Sequence, residues 1–203
     1  MSDKKGLLIV VSGPSGTGKG TICKRLMQKR DDIFLSVSAT TRSPREGEEN
    51  GVHYYFMSEE EFQDNIKNGG MLEYAVFCQN YYGTPKKAVD DMLNAGKNVI
   101  LEIEVQGAMK VRSKYPEGVY VFVLPPSMSE LRHRLTQRGT ESADVVEERL
   151  KTAFREFEYI SKYNYILLND EIEHAVERLE SIIDAEHCRI ERNINFIEEV
   201  CNS

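Results

Sequence analysis

Residues 7–21 read LLIVVSGPSGTGKGT. The first five form a continuous apolar run, which is typical of a strand buried on both faces of a sheet. Turn residues follow from Ser12 to Gly18, and the next segment predicts a helix over 19–30. A glycine-rich turn between a strand and a helix distinguishes a phosphate-binding loop from a chance cluster of glycines. This stretch therefore predicts a phosphate-binding loop (P-loop) at the start of an α/β domain.

The chemistry of the P-loop follows from its residue types. Glycines carry no Cβ, so backbone N–H groups can converge on phosphate oxygens, and the dipole of the next helix adds positive potential. Lys19 supplies a mobile charge for the β and γ phosphates of a nucleotide. Gly20 stands where the usual pattern has Ser or Thr, so we expect a metal ion to reach the loop through waters or through Thr21. The predicted phosphate-binding residues are Gly13, Pro14, Ser15, Gly16, Thr17, Gly18, Lys19, Gly20 and Thr21.

The remainder of the chain alternates strands with helices, which predicts a parallel sheet covered by helices on both faces. Strands are predicted over 33–38, 71–77, 97–103, 118–124 and 165–168, and helices over 59–68, 84–96, 106–114, 128–138 and 143–161. A long last helix is predicted from Glu171 to about Val200. Its one buried stripe would consist of Ile182, Ile183, Ile190, Ile194 and Ile197.

Two stretches interrupt this alternation, and we expect both to be insertions at the carboxyl edge of the sheet, where ligands bind. The first covers residues 37–88 and the second, a helical one, covers 130–158. The predicted nucleotide-binding core then consists of residues 1–36, 89–129 and 159–203.

Composition excludes some classes of partner. The 203 residues carry 26 Lys and Arg against 33 Asp and Glu, a net charge of −7. A nucleic-acid coat or a membrane-surface protein needs a basic footprint, so neither nucleic acid nor membrane is an expected partner. The apolar run 7–11 is too short for a secretory or membrane segment, and the four cysteines are scattered. We therefore expect a protein of the reducing cytoplasm.

A P-loop alone does not name a reaction. The guanine-specific Asn-Lys-x-Asp motif of regulatory GTPases is absent, which favours a small kinase with a second site for its acceptor. Arg42 and Arg45, near two tyrosines, suit a phosphate monoester because their planar guanidinium groups match its oxygens. Glu46, Glu48 and Glu49 lie nearby, so a solvated charged loop is the alternative, and the residues alone leave the two open.

Four motifs, taken together, resemble those of the guanylate kinases and occur in that family's order. They are the P-loop, residues 40–48 (TTRSPREGE), residues 80–84 (NYYGT) and residues 138–141 (RGTE). The likeness runs from about residue 6 to residue 170, and the block at 40–48 is the most specific part. It implies a P-loop kinase fold with an inserted GMP-binding subdomain (37–88) and a helical lid (130–158). It also implies the reaction MgATP + GMP → MgADP + GDP, and leaves dGMP acceptance and the oligomeric state open.

The resemblance assigns the acceptor site residue by residue. For the phosphate of GMP the family uses two arginines and two tyrosines, which match Arg42, Arg45, Tyr54 and Tyr82. For guanine it uses a carboxylate and hydroxyls, which match Glu73, Ser38 and Thr84. A carboxylate can accept from guanine N1–H and N2–H, whereas adenine presents the wrong pattern of donors and acceptors.

Two further carboxylates, Glu102 and Glu104, are two apart on a predicted strand and would share one face of it. Buried at a strand end, they would require a cation or a ligand. The resemblance places Glu102 near the waters of Mg²⁺ and Glu104 near the guanine edge, both within the GMP set. Thr21 and Glu102 are thus the expected metal-side residues. The family usually has Asp at both positions, or Glu and then Asp, and solvated edge charges are the alternative.

The lid completes the expected machinery. Arg134, Arg138 and Arg149 match family arginines that close over the transferring phosphates, and with Lys19 and Arg42 they form the expected catalytic set. From the residues alone, ion pairs with neighbouring glutamates would be the preferred interpretation. Asn169 matches a residue beside adenine, and a turn-forming Asn is its alternative.

Two rival functions stay open at this point. One is a non-catalytic interaction module of guanylate-kinase type, although such modules often have a degraded P-loop. The other is a kinase for a different acceptor, such as another nucleoside monophosphate or a phosphorylated ribose.

Overall fold

The computed structural model describes residues 5–137 and 143–202. The strands are β1 (Leu8–Ser12), β2 (Ile33–Leu35), β3 (Ala39–Thr40), β4 (Tyr55–Phe56), β5 (Met71–Phe77), β6 (Asn80–Pro85), β7 (Asn98–Glu102), β8 (Val119–Leu124) and β9 (Tyr165–Leu168). The α-helices are α1 (Lys19–Lys29), α2 (Glu59–Lys67), α3 (Lys86–Asn94), α4 (Val105–Lys114), α5 (Met128–Gln137), α6 (Ala143–Phe157), α7 (Ile172–His187) and α8 (Ile194–Cys201). Short 3₁₀ turns lie at Ile160–Lys162 and Ile190–Arg192.

The main sheet is parallel and has the strand order β2-β7-β1-β8-β9. β1 lies at its centre, and all five of its residues are buried, as its apolar run predicts. Helices α1 and α7 pack on one face with Ile9 and Val11, and α3 and α4 pack on the other with Val10. The predicted α/β fold, a parallel sheet covered on both faces, is confirmed.

A second, four-stranded sheet has the order β4-β3-β6-β5 and lies within residues 39–85. Two short strands, β3 and β4, lie in the first of the two stretches that interrupt the predicted alternation. Thr84 lies in β6 rather than at a helix start, so that prediction is wrong. β5 and β6 form a hairpin whose turn residues, Cys78 and Gln79, have φ values of 47° and 64°. A type I′ turn needs positive φ at both positions, and this residue pair is not one of its usual signals.

Helices α5 and α6 pack against each other around an apolar cluster of their own. Its buried members are Leu131, Leu135, Val146, Leu150 and Ala153. α6 ends at Phe157, shorter than the predicted 143–161. The boundaries proposed for the two insertions, 37–88 and 130–158, stay predictions.

The prediction of one long last helix is wrong, because the chain breaks after α7. Glu186 is 1% exposed and accepts hydrogen bonds from Tyr165 Oη (2.6 Å) and Arg192 Nη2 (2.8 Å). Arg192 reaches it because the chain turns back, and Asn193 Nδ2 then donates to the carbonyl oxygens of His187 and Arg189. Of the expected isoleucine stripe only Ile183 is buried, Ile182 is half-buried, and the exposed fractions of Ile190, Ile194 and Ile197 are 71%, 50% and 43%.

Among the described residues, no helix combines the length and the apolar character needed to cross a membrane.

Candidate active site

The P-loop connects β1 to α1 in a conformation that depends on glycine. Gly18 has φ of 90°, and a Cβ there would lie 2.4 Å from Asn169 Nδ2. Thr17 stabilises the turn, since its hydroxyl donates to the carbonyl oxygen of Pro14 (2.8 Å). The amino end of α1 thus faces a compact loop, as a phosphate site requires.

Lys19 is folded onto this loop. Its Nζ donates to the carbonyl oxygens of Gly13 (2.6 Å) and Pro14 (3.0 Å). Withdrawal from water lowers the pKa of Lys19, and the charges of Glu102, Glu156 and Glu104 counteract that effect. The two carbonyl contacts hold the ammonium group against the loop.

Asn169 fastens the end of β9 to the P-loop. It is 5% exposed, and its Nδ2 donates to the carbonyl oxygen of Thr17 (2.7 Å). The backbone carbonyl oxygen of Asn169 accepts a hydrogen bond from Arg134 Nη2 of α5 (3.1 Å). Asn169 therefore holds both the P-loop and a predicted lid arginine, and its contact with adenine stays a prediction.

The structure shows side-chain contacts for two of the three predicted lid arginines. Arg134 Nε also binds Glu130 (2.8 Å), the intrahelical ion pair that the residues alone favour. Arg149 Nη1 of α6 donates to Ser15 Oγ of the P-loop (3.2 Å). Arg138 lies outside the described residues. Two of the three predicted lid arginines are thus brought to the loop or its anchor.

Arg42 lies in the second sheet region, between a carboxylate and two aromatic rings. Its Nη1 and Nη2 donate to the two carboxylate oxygens of Glu48, both at 2.9 Å. Its guanidinium carbon lies 5.4 Å from the Tyr54 ring centroid and 5.7 Å from that of Phe56. The Tyr54 and Tyr82 rings are 6.1 Å apart, so three of the four predicted phosphate ligands come together.

Glu48 organises the turn that carries both arginines. Its Oε2 also accepts from the backbone N–H of Arg45 (2.8 Å), while the Arg45 side chain extends into solvent. The bond from Arg42, with that backbone bond, lowers the pKa of Glu48 to about 2. In the sequence, Glu48 is one of three acidic residues that leave a solvated charged loop as the alternative. Its spacing of six residues from Arg42 matches no local periodicity that would have signalled the pair.

Glu73 and Thr84 form a buried pair across the β5–β6 hairpin. Thr84 Oγ1 donates to Glu73 Oε1 (2.8 Å). Thr84 is 1% exposed and Glu73 is 8% exposed. Burial raises the pKa of Glu73, and the bond from Thr84 and the charge of Lys110 counteract it. The other oxygen, Oε2, lies 3.1 Å from where a Cβ on Gly107 would be. Ser38 is half-buried and joins the region through its carbonyl oxygen, which accepts from Tyr55 N.

Glu102 and Glu104 are not on one strand face, because β7 ends at Glu102 and Glu104 immediately precedes α4. The Glu102 carboxylate lies beside Gly20 of α1. Loss of hydration there raises the pKa of Glu102, and the charges of Lys19 and Lys24 counteract it. Glu104 is exposed, and its charge acts on Glu73 and Lys19.

Glu156 of α6 is a residue that sequence reasoning missed. It is half-buried, burial raises its pKa, and the charge of Lys19 counteracts that shift. No local pattern marks it, because its proximity to Lys19 depends on how α6 packs. Phe157, the next residue, contacts Phe122 of β8 with ring centroids 6.1 Å apart.

Within the described parts of the chain, no group of three or more His, Cys, Asp and Glu could by itself hold a metal ion. The cysteines are unpaired; Cys23 is buried, and the other three are exposed.

Comparisons with known proteins agree on one family. Residues 5–186 match the family model described as guanylate kinase. A guanylate kinase of Desulfitobacterium hafniense is 56% identical over 192 residues, covering 95% of this chain and 96% of that protein. One from Clostridium perfringens is 55% identical over 190 residues, covering 94% and 88%. The crystal structure of guanylate kinase from Anaplasma phagocytophilum superposes with a TM-score of 0.73 at 35% identity, covering 93% and 90%.

Proposed function

This chain belongs to the guanylate kinase family, and we propose that its two sheets divide the two nucleotides of one phosphoryl transfer between them. The reaction transfers the γ-phosphoryl group of ATP to GMP and gives ADP and GDP. The P-loop between β1 and α1 would hold ATP. The second sheet and the turn at 42–48 would hold GMP.

The buried Glu73–Thr84 pair is the observation that carries the choice of GMP. A carboxylate with one oxygen held by a hydroxyl can accept from the N1–H and N2–H of guanine with the other. Adenine would leave that acceptor unpaired in a buried place, which is costly. Thr84 and Ser38 would supply the remaining contacts with the base, and Glu104 would lie at the guanine edge.

The GMP phosphate would bind at Arg42. Its Nη1 and Nη2 donate to Glu48, and the phosphate would bind the guanidinium donors that this carboxylate does not use. Arg45, Tyr54 and Tyr82 would add donors to the same phosphate. A phosphate monoester is largely ionised at pH 7 because its second pKa is about 6, so no general base is required.

On the ATP side, Lys19 would exchange its two carbonyl contacts for the β and γ phosphates. A GMP phosphate oxygen then forms a bond to the γ phosphorus as the bond to the β-γ bridging oxygen breaks, with ADP as the leaving group. Arg134, Arg138 and Arg149 would stabilise the equatorial oxygens and exclude water as the lid closes. Asn169 would act by holding the P-loop.

Mg²⁺ fits the residues at the amino end of α1. The Glu102 carboxylate and the Thr21 hydroxyl are hard oxygen donors, which Mg²⁺ prefers, and it commonly binds through few protein groups and several waters. When bound with ATP, the ion supplies neutralisation of the phosphate charge. Glu102 and Thr21 would hold its waters.

The unpaired cysteines further support a cytoplasmic setting.

A coupled ADP-release assay across GMP, dGMP, AMP, UMP, CMP and ribose 1,5-bisphosphate tests this function. We expect kcat/KM for GMP to exceed that for AMP by about 10⁴-fold, the discrimination reached by sites that hydrogen-bond their substrate. Equal turnover of several acceptors would favour a kinase of different specificity. GMP binding without ADP release would favour a non-catalytic module.

A further inference from the structure

The strand that carries Glu73, β5, is irregular at that residue. It lies at the edge of the second sheet and pairs with β6. Between Met71 and Tyr74 the register shifts by one residue, so that three steps along β5 match two along β6. One extra residue in a strand is a β-bulge, which interrupts the ladder and redirects a side chain. The bulge therefore lies at Leu72 and Glu73, where the carboxylate meets Thr84 Oγ1.

Two lysines of α4 hold the backbone on either side of Glu73. Lys114 Nζ donates to the carbonyl oxygen of Leu72 (2.8 Å) and to that of the preceding residue (3.2 Å). Lys110 Nζ donates to the carbonyl oxygen of Tyr74 (2.6 Å) and lies 5.3 Å from the centroid of that ring. Glu73 therefore stands between two backbone groups that one helix holds.

Helix α4 is suited to fix this strand because the core of the main sheet holds the helix itself. Ala108 and Val111 of α4 are buried in the same apolar cluster as Leu72 of β5. Lys110 and Lys114 are four residues apart, so they lie on one side of the helix, about a turn from each other. The edge strand is thus packed on the core through Leu72 and bonded to α4 on both sides of the next residue.

The same two ammonium groups favour the ionised form of Glu73. Burial raises the pKa of Glu73, whereas the charges of Lys110 and Lys114 lower it. The hydrogen bond from Thr84 also lowers this pKa, and the charge of Glu104 raises it. An ionised carboxylate only accepts hydrogen bonds, as the N1–H and N2–H groups of guanine require.

We propose that Lys110 and Lys114 are positioning residues for guanine recognition, because they hold the bulged backbone so that the Glu73 carboxylate meets both N–H groups of the base. Each acts through Glu73 rather than on the substrate. This inference rests on the proposed function, and its readout is the preference between two acceptors rather than the presence of phosphoryl transfer.

The test compares kcat/KM for GMP with kcat/KM for inosine monophosphate, which keeps the N1–H group and lacks the N2 amino group. Both are measured on one preparation, so the fraction of folded protein cancels in their ratio. Lys114→Met keeps the apolar stem and removes the donor, and we expect the ratio to fall about 10-fold, because the displaced carboxylate loses its contact with N2–H. Lys110→Met, which removes one bond instead of two, should lower the ratio less.

Three further variants separate positioning from a general structural role. Lys114→Arg keeps both charge and donors, so its ratio should stay within about twofold of wild type. In a Glu73→Gln background, Lys114→Met should change the ratio by less than about twofold, since residues that act through one another are not additive. Lys67→Met is the matched control, because Lys67 is an exposed lysine of α2 that pairs with the exposed Asp64.

An unchanged ratio in Lys114→Met would overturn the proposal and leave the lysines as protection of an edge strand. So would a fall in the Glu73→Gln background as large as in wild type, since independent sites behave in that way. Both outcomes leave the proposed function intact. A wild-type chain that releases no ADP with GMP would overturn the proposed function, and this inference with it.

Discussion

The two proposed phosphate sites of this protein are built in different ways. In the P-loop the conformation comes from consecutive backbone groups, and its cation, Lys19, is held by the loop's own carbonyl oxygens. At 42–48 the site consists of side chains, and its cation, Arg42, is held by a carboxylate and two rings. A phosphate site made of backbone groups can be recognised from a short sequence motif. A site made of side chains cannot, because its geometry depends on the other side chains that hold them.

Among the substitutions considered, Lys19→Met in the P-loop should have the largest effect on activity. We expect kcat to fall about 10³-fold, because a preorganised charge that stabilises the transferring group is lost. GMP affinity should stay nearly unchanged, since Arg42 and Glu73 are untouched. ADP-release kinetics and GMP calorimetry on one preparation measure both. A similar loss in GMP affinity would mean that the two sites are not separate.

Glu73→Gln should break the acceptor half. The amide presents a donor to guanine, so we expect kcat/KM for GMP to fall about 10²-fold, within the range for an unpaired buried polar group. Glu60→Gln on α2 is the matched control, because Glu60 is exposed.

The same variant has a stability signature whose sign follows from the pKa. Burial raises the pKa of Glu73 above its ordinary value of 4.5, so the folded state keeps the proton to higher pH than the unfolded state. The free energy of unfolding of the wild type therefore falls as pH rises from 4.5 through the raised pKa. Glu73→Gln should lack that fall, and chemical denaturation at several pH values would show it.

Glu48→Gln tests a pH dependence of stability with the opposite sign to that of Glu73. With a pKa of about 2, Glu48 contributes stability above pH 4.5 that is lost as pH falls towards 2. At pH 7 we expect KM for GMP to rise about 10-fold with kcat little changed, because the charge-assisted bond that orients Arg42 is weakened. Guanosine inhibition should be unaffected, with Glu46→Gln as the control. A lower KM would show that Glu48 competes with the phosphate.

Asn169→Ala tests the anchor of the backbone-built site. Removing Nδ2 leaves the Thr17 carbonyl oxygen without its side-chain donor in a buried place, which costs about 1–3 kcal/mol of unfolding free energy. ATP affinity should weaken while guanosine affinity does not. Denaturant titrations and calorimetry measure the two effects, and a stable variant with normal ATP affinity would contradict the anchoring role.

Phe196→Ser should have the smallest effect. Phe196 of α8 is 58% exposed, so we expect the unfolding free energy to change by less than about 0.5 kcal/mol. A larger loss that depends on protein concentration would show instead that a second molecule covers α8.

Features held by interactions between residues close in the sequence could be predicted, and features that depend on contacts between distant residues could not. The P-loop and the buried strand before it are local, so their residues alone predict them. Thr84 meets Glu73 only because two positive-φ residues close an unusual hairpin. Asn169 bonds Thr17 across 152 residues, which only the completed sheet specifies.

The last helix shows the converse case. Isoleucine periodicity predicts a continuous helix, yet the chain turns back after α7, where Arg192 binds the buried Glu186 and Asn193 binds the carbonyl oxygens of His187 and Arg189. Apolar periodicity does not represent such polar contacts, so it could not predict the break. The roles of the site residues, carried over from family motifs, stay predictions until variants are measured.

The pairing of Arg42 with Glu48 also bears on how nucleotides arrive. A cation whose charge is matched by a neighbouring carboxylate exerts little field beyond a Debye length of about 10 Å at 0.1 M salt. The chain as a whole carries −7, so an approaching nucleotide meets repulsion before it meets a guanidinium. The association rate constant of GMP should therefore increase as salt is added, the reverse of electrostatically steered capture.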